Sequence, residues 1–395
     1  MARARHSRVL KPQDIRQHNR MAVMRLLLER SPMSQADISR RLHISAPVVS
    51  SIIAEFETNE LVCPSPSGTT LPRPEGRPPK LLQANPNSGV LIGVAIQERD
   101  ISLTAANLFG EALGEITIDN EAHTDDSLLK LLIKSVNNLA KDRRTASEPL
   151  LSIGISIPGV FNQEAGQLEF APNVTAWRDI PLQRDLAQAF ACDVIVENAV
   201  NAAILGELWH GKLKGCRDAV YLKLDHGIGA GIIADGRLQH GARGLAGEIG
   251  FMVTSLSDLK EPKTDFGSLE RHCSLQTILD KAQQIDPQIH SVSDLLAGLE
   301  TKQSGLVLLV DAVIERLAAT AANVTCVVDP DIIILGGGFS PVVQKRLEHF
   351  RRLIENAVPR CPEITVSELG RKAFSLGAIA QSLEDVPRRL ITRFF

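Results

Sequence analysis

The chain is predicted to fold as an α/β protein of two lobes behind a small, basic, helical head. Three observations carry that prediction. Residues 1–80 read as short amphipathic helices and hold 13 Lys and Arg against seven Asp and Glu. From Val90 onward apolar strand runs alternate with helical patterns. A strand-hairpin opening occurs twice, near residues 90 and 220. A length of 395 residues has room for two or three such compact units.

The head comes first. Ile15–Glu29 carries apolar positions at Met24, Leu27 and Leu28. Ser34 has the character of an N-cap, with Asp37 three residues on and Ile38 and Leu42 at helical spacing. After the break at "HIS", Ser45 starts a third helix whose inward face is Val49, Ile52, Ile53 and Phe56. Helix, short turn and helix in this order form a helix-turn-helix. The outward face carries Ser45, Ala46, Pro47, Ser50 and Ser51. Such small side chains let a helix lie deep in a major groove but cannot make the two-pronged contact of Arg with guanine. A plain three-helix bundle with a polar face would show the same pattern.

The next segment favours DNA. "LPRPEGRPPK", residues 71–80, cannot be helical and takes an extended path. Arg73, Arg77 and Lys80 project from it, and arginine is drawn to the deep negative potential of a narrow A·T-rich minor groove. The segment is also a linker. We read a wing between Leu61 and Leu82 that touches DNA on its way to the body, with a domain boundary at residues 82/83.

In the body, "VLIGVAI" is a buried strand, and "ISLTAANLFGEALGEITI" is a hairpin turning at Leu108–Gly110. Asp125–Asp142 is a long helix, "LLSIGISIPG" a buried strand ending in a Pro-Gly turn, and Leu182–Phe190 a helix. "VIVENAVNAAILGE" is a strand end, two polar residues and an alanine-rich helix, the kind of corner where α/β folds hold ligands. "AVYLKLDHGIGAGIIADGRL" is strand, glycine turn and strand; Gln303–Cys326 is a long helix, and "DPDIIILGGG" feeds a glycine corner.

Composition narrows the function classes. A formal charge of −3 names no partner for the whole chain, but a basic end on an acidic body places any polyanion at that end. The six scattered cysteines form no CxxC pair and suit reduced thiols. The basic start lacks the apolar run of a signal peptide, and no stretch reaches the ~20 apolar residues of a membrane span. The expectation is a cytoplasmic, nucleoid-associated protein without membrane contact.

"SIGISIPGV", "APNVTAWRDIPL", "VENAVNAAILGE", "HGIGAGIIADGRLQHGARGLAGEIG" and "VDPDIIILGGG" together resemble the ROK family of bacterial repressors and sugar kinases. The helix-turn-helix with its "GRPP" wing resembles the repressor branch, which includes glucose-responsive and N-acetylglucosamine-responsive regulators. The resemblance implies two actin-like, ribonuclease-H-like lobes. Lobe one takes about 83–198 plus 375–395, and lobe two about 199–374.

Four features of the family's kinases are altered. Ala95 stands where the first phosphate loop has its acid, followed by the bulky Gln97-Glu98-Arg99. Ala199 replaces the catalytic base, and a methyl group cannot take a proton; losing such a base costs ~10²–10⁴-fold in rate. The second phosphate loop keeps Gly227, Gly229 and Gly231 but places Asp225 and His226 before them. Phe251 replaces a zinc-binding His, and Cys273 beside His272 does not make a four-ligand site. No catalytic residue, cofactor or metal is therefore expected.

By resemblance, Asn173, Asn198, Glu248 and Glu270 fall on sugar-contacting positions, where fixed amides and carboxylates suit hydroxyl groups. As residues alone they could equally be caps or surface polar groups, and Glu270 lies in a diverged segment. The ligand is an altered sugar, a sugar phosphate, or none. The reading is a homodimer, or dimer of dimers, that represses carbohydrate-utilisation genes by binding double-stranded operator DNA. Its rivals are a sugar kinase with an added DNA-binding domain and a regulator answering to a protein partner, such as a phosphotransferase-system component.

Overall fold

The computed structural model describes residues 12–65, 80–120, 125–143, 149–162, 165–178, 180–260, 264 and 266–395. The head holds α1 (Pro12–Arg30), α2 (Gln35–Leu42) and α3 (Ala46–Thr58). Ser34 caps α2: its hydroxyl oxygen accepts the Asp37 N–H at 3.2 Å and donates to the Asp37 carboxylate at 2.7 Å. Val49, Ile52, Ile53 and Phe56 all face the core. Ser45 does occupy the N-cap position of α3, but its side chain makes no cap bond; Pro47 in the first turn lacks an N–H that would need one.

β1 (Val62–Pro64) and β2 (Leu82–Ala84) pair antiparallel as the base of the wing. β2 is also tied to the segment before α2, where Met33 and Leu82 exchange both backbone hydrogen bonds. These bonds join β2 to the domain that carries α3.

The first lobe holds β3 (Val90–Ile96), β4 (Asp100–Ala106), β5 (Ala112–Asp119), α4 (Asp125–Arg143), β6 (Leu150–Ile157), β7 (Val160–Asn162), β8 (Gln167–Phe170), α5 (Leu182–Phe190) and β9 (Asp193–Asn198). Its main sheet runs β5-β4-β3-β6-β9, an antiparallel meander followed by two parallel strands. α6 (Ala199–His210) leads to the second lobe, with β10 (Ala219–Leu224), β11 (Ile228–Ala234) and β12 (Arg237–Leu238). Next come α7 (Ser268–Cys273), α8 (Leu275–Ile285), α9 (Val292–Glu300), α10 (Ser304–Val328), β13 (Ile332–Gly336), α11 (Ser340–Lys345), α12 (Leu347–Glu355) and β14 (Glu363–Val366). The second sheet, β12-β11-β10-β13-β14, repeats the plan of the first. That repetition is the doubled hairpin opening seen in the sequence. Among the described residues no helix is long and apolar enough to cross a membrane.

α13 (Lys372–Ser382) packs on β3, β6 and α6. The approach requires glycine: a Cβ on Gly154 would stand 1.9 Å from the Ala378 carbonyl oxygen, and one on Gly377 would stand 1.6 Å from that of Ala202. Sheet, α13 and α6 are therefore backed rigidly onto one another.

α14 (Val386–Phe394) takes a seat that periodicity alone does not predict. Its Val386, Leu390 and Ile391 are fully buried in one core with Val23, Met24 and Leu27 of α1 and Leu91, Leu108 and Leu151 of the first lobe. The Phe395 ring lies 5.9 Å from that of Phe56, and the Arg20 guanidinium sits 4.1 Å above it. Head and body share a continuous apolar interior.

Candidate functional site

The cleft is built at the corner where β9 becomes α6. Asn198 is the N-cap: its Oδ1 accepts the Val200 and Asn201 N–H groups at 2.8 and 3.4 Å. Its Nδ2 donates to the Gly159 carbonyl at 2.8 Å, strapping the Pro-Gly turn to the corner. Asn173, Asn198, Lys223, Glu248, Phe251 and Glu270 all line this cleft, with Ala199 in its wall. The structure thus brings together the four residues picked from the sequence. It also shows that Asn198 is largely occupied by holding the corner.

Two carboxyl groups share the pocket. Burial pushes the Glu270 carboxyl up to about 7; the charge of Glu248 adds to this, against the opposing pull of the Asn173 side chain, the Ile228 N–H and Lys223. Burial likewise raises Glu248. Lys223, on β10, was not among the predicted residues. Burial works against its charge, but Glu98, Asp225 and Glu270 outweigh that and hold the ammonium protonated. Its Nζ is 3.4 Å from the Glu98 carboxylate, which reaches across from the β3–β4 turn of the other lobe.

A second link crosses the cleft. Glu197 is buried and accepts the Asn198 N–H at 2.8 Å and the Asn201 side-chain amide at 3.0 Å. Its other oxygen is 2.9 Å from Nε2 of His240, whose pKa it raises against the effect of burial.

The glycine corners do not fit a nucleoside triphosphate. One Asp225 carboxylate oxygen accepts the His226 N–H at 2.9 Å and the other accepts the Gly338 N–H at 2.8 Å. These amides already hold an anion, supplied by the chain itself, and Glu98 and Asp225 both face the same space. Zinc fits no better. Phe251 packs near Phe170 at 6.3 Å between ring centroids, and burial pushes the Cys273 thiol up to about 12. Among the described residues no group of three His, Cys, Asp or Glu side chains is placed to hold a metal ion.

On the head, Ser45, Ala46, Pro47, Ser50 and Ser51 are all exposed along α3. Ser51 accepts a bond from Arg16 at 3.1 Å. Arg16 and Arg20 both pair with Glu55, and against the effect of burial they hold its carboxyl below the usual range. Glu55, one of the two acidic side chains of this helix, is thereby neutralised. Lys80 is exposed and pairs with Glu57 at 2.7 Å. Arg73 and Arg77 lie outside the described residues. Val48 and Ile15 add an exposed apolar spot beside Pro47 that the sequence reading did not include.

Comparison with known proteins follows the same division. Residues 91–383 match the ROK family, and residues 16–62 match the winged helix-turn-helix DNA-binding family. The chain is 28% identical over 392 residues to a xylose repressor of Caldicellulosiruptor bescii, covering 94% of this chain and 97% of that one. It is 27% identical to the glucokinase of Halalkalibacterium halodurans, over 72% of this chain and 92% of the relative. A solved ROK family transcriptional regulator, a homologue of the Escherichia coli Mlc protein, superposes with a TM-score of 0.78 at 22% identity, covering 96% of this chain and 99% of the other.

Proposed function

Since the chain belongs to the ROK family and is headed by a winged helix-turn-helix, we infer that it represses carbohydrate-utilisation genes. In this reading the head holds operator DNA and the interlobe cleft senses a sugar or sugar derivative. The observation that carries the reading is the corner at Asn198: the grip is intact, while Ala199 offers no base and Asp225 fills the anion-binding amides. Such a pocket can bind and cannot transfer a phosphoryl group.

Ser45, Ala46, Pro47, Ser50 and Ser51 lie against the major groove, with Arg73, Arg77 and Lys80 of the wing following the minor groove and phosphates. Asn173, Glu248 and Glu270 bond sugar hydroxyls, with Asn198 fixing the turn beneath them. Twofold assembly as a homodimer, or a dimer of dimers, makes the operator an inverted repeat with half-sites about one or two helical turns apart. The place of action is the nucleoid. The signal path is α6, which starts at the cleft with its N-cap Asn198 and carries Trp209 near its other end, packed against the core that head and body share. Ligand leverage equals its affinity difference between the two arrangements.

A coupled ATP assay across hexoses and amino sugars tests the non-catalytic reading. No turnover above background is expected; turnover that disappears in Glu248→Gln would make the chain a kinase. The cleft should also be pH-sensitive. Only an ionised Glu270 accepts from hydroxyl groups through both oxygens. Its carboxyl lies near 7, so affinity for a neutral sugar rises with pH through neutrality, roughly tenfold between pH 6 and 8. Calorimetric titration checks this, and Glu270→Gln should flatten the profile.

A further inference from the structure

We propose that Lys223 is a ligand-binding residue of the cleft and that the effector it selects is an anionic carbohydrate, a sugar carrying a carboxylate or a phosphate. The proposal rests on the effector reading above and narrows it.

Lys223 interrupts an apolar strand: Tyr221, Leu222 and Leu224 around it are all buried. Its own side chain is only 5% exposed, and it lines the cleft with Glu248 and Glu270. An ammonium carries three donors. Among the described residues its one polar contact is Glu98, at the outer limit of a hydrogen bond, with the Phe374 ring 5.8 Å away. The nearby carboxyl groups of Glu98, Asp225 and Glu270 offset its burial, yet only one of its three donors is engaged in a hydrogen bond. Oxygen atoms from a ligand would satisfy it.

The chemistry of the swap selects for charge. Glu98 sits in a short turn of the opposite lobe, at residues 97–99, part-buried beside the exposed Arg99, and in this proposal it swings out to solvent when the ligand arrives. An anionic group arriving at Lys223 takes its place, so one negative charge enters as one departs and the ammonium stays neutralised. A neutral sugar cannot compensate Lys223 in this way and leaves the bridge to Glu98 in place. Asp225 does not compete, because both its oxygens are held by backbone N–H groups. The raised pKa of Glu248 and of Glu270 lowers the repulsion an anion would meet. The exchange also cuts a direct contact between the lobes, which is the event a sensor needs.

The test is calorimetry on the full chain with hexoses, the matched hexuronates and the matched hexose 6-phosphates, in gluco, galacto and manno forms. At least one acid or phosphate should bind tenfold or more tightly than its neutral parent, and the two anionic arms tell carboxylate from phosphate. In Lys223→Met that ratio should collapse to about one. In Glu98→Gln, which removes the internal competitor, the ratio should rise about tenfold, an effect opposite in sign to general damage. Equal binding of neutral and anionic forms, or an unchanged ratio in Glu98→Gln, overturns the proposal while leaving a sugar sensor. No binding of any carbohydrate overturns the sensor reading itself, and the proposal with it.

Discussion

Ser50→Glu is expected to weaken operator binding by at least 100-fold, about 2.7 kcal/mol, with calorimetric effector binding unchanged. Ser50 is exposed on the outward face of α3, so the substitution costs the fold little. Against DNA the new carboxylate meets the dominant force in the interface, the phosphate charge. The two natural acids of this helix are already paired, Glu55 with Arg16 and Arg20 and Glu57 with Lys80. Fluorescence anisotropy with labelled duplex at about 0.1 M salt reads the loss. Undiminished affinity would move the DNA contact off α3.

Leu390→Ala is expected to destabilise the protein by about 2–5 kcal/mol in urea and to uncouple head from cleft. Leu390 is fully buried where α14 meets α1 and the first lobe, so truncation opens a cavity in the interior the two units share. DNA that remains bound should no longer be released by effector. Leu256→Ala is the control: Leu256 is 82% exposed, and its loss should cost under about 0.5 kcal/mol. Full stability and a full effector response in Leu390→Ala would mean that α14 transmits nothing.

Local signals make much of this legible in the sequence. The inward face of α3 follows from spacing alone, because Val49, Ile52, Ile53 and Phe56 lie on one side of any helix. The cap at Ser34 and the two hairpin openings are equally local. Asn173, Glu248 and Glu270 follow from resemblance, and only the fold places them in one cleft, since they are spread over nearly a hundred residues of sequence. What was missed depends on long-range partners. Asp225 reads as an intruder in a glycine loop until Gly338 is seen beside it. The Glu197–His240 pair joins the end of β9 to the loop after β12, which no periodicity relates. The seat of α14 needs the head's core for its explanation. Lys223 did leave a trace: a lone cation inside "VYLKL", a strand otherwise fit only for burial, marks a charge with a task.

In the proposed function, occupancy of the cleft governs the grip of the head. Its most direct measurement is anisotropy of a labelled duplex, taken from the chain's mapped genomic sites, during titration with a cleft-binding carbohydrate and no ATP present. Release of the duplex at the carbohydrate's own binding midpoint, shifted to higher concentration in Glu248→Gln, is the predicted result. A duplex that stays bound while calorimetry shows the cleft saturated would contradict it.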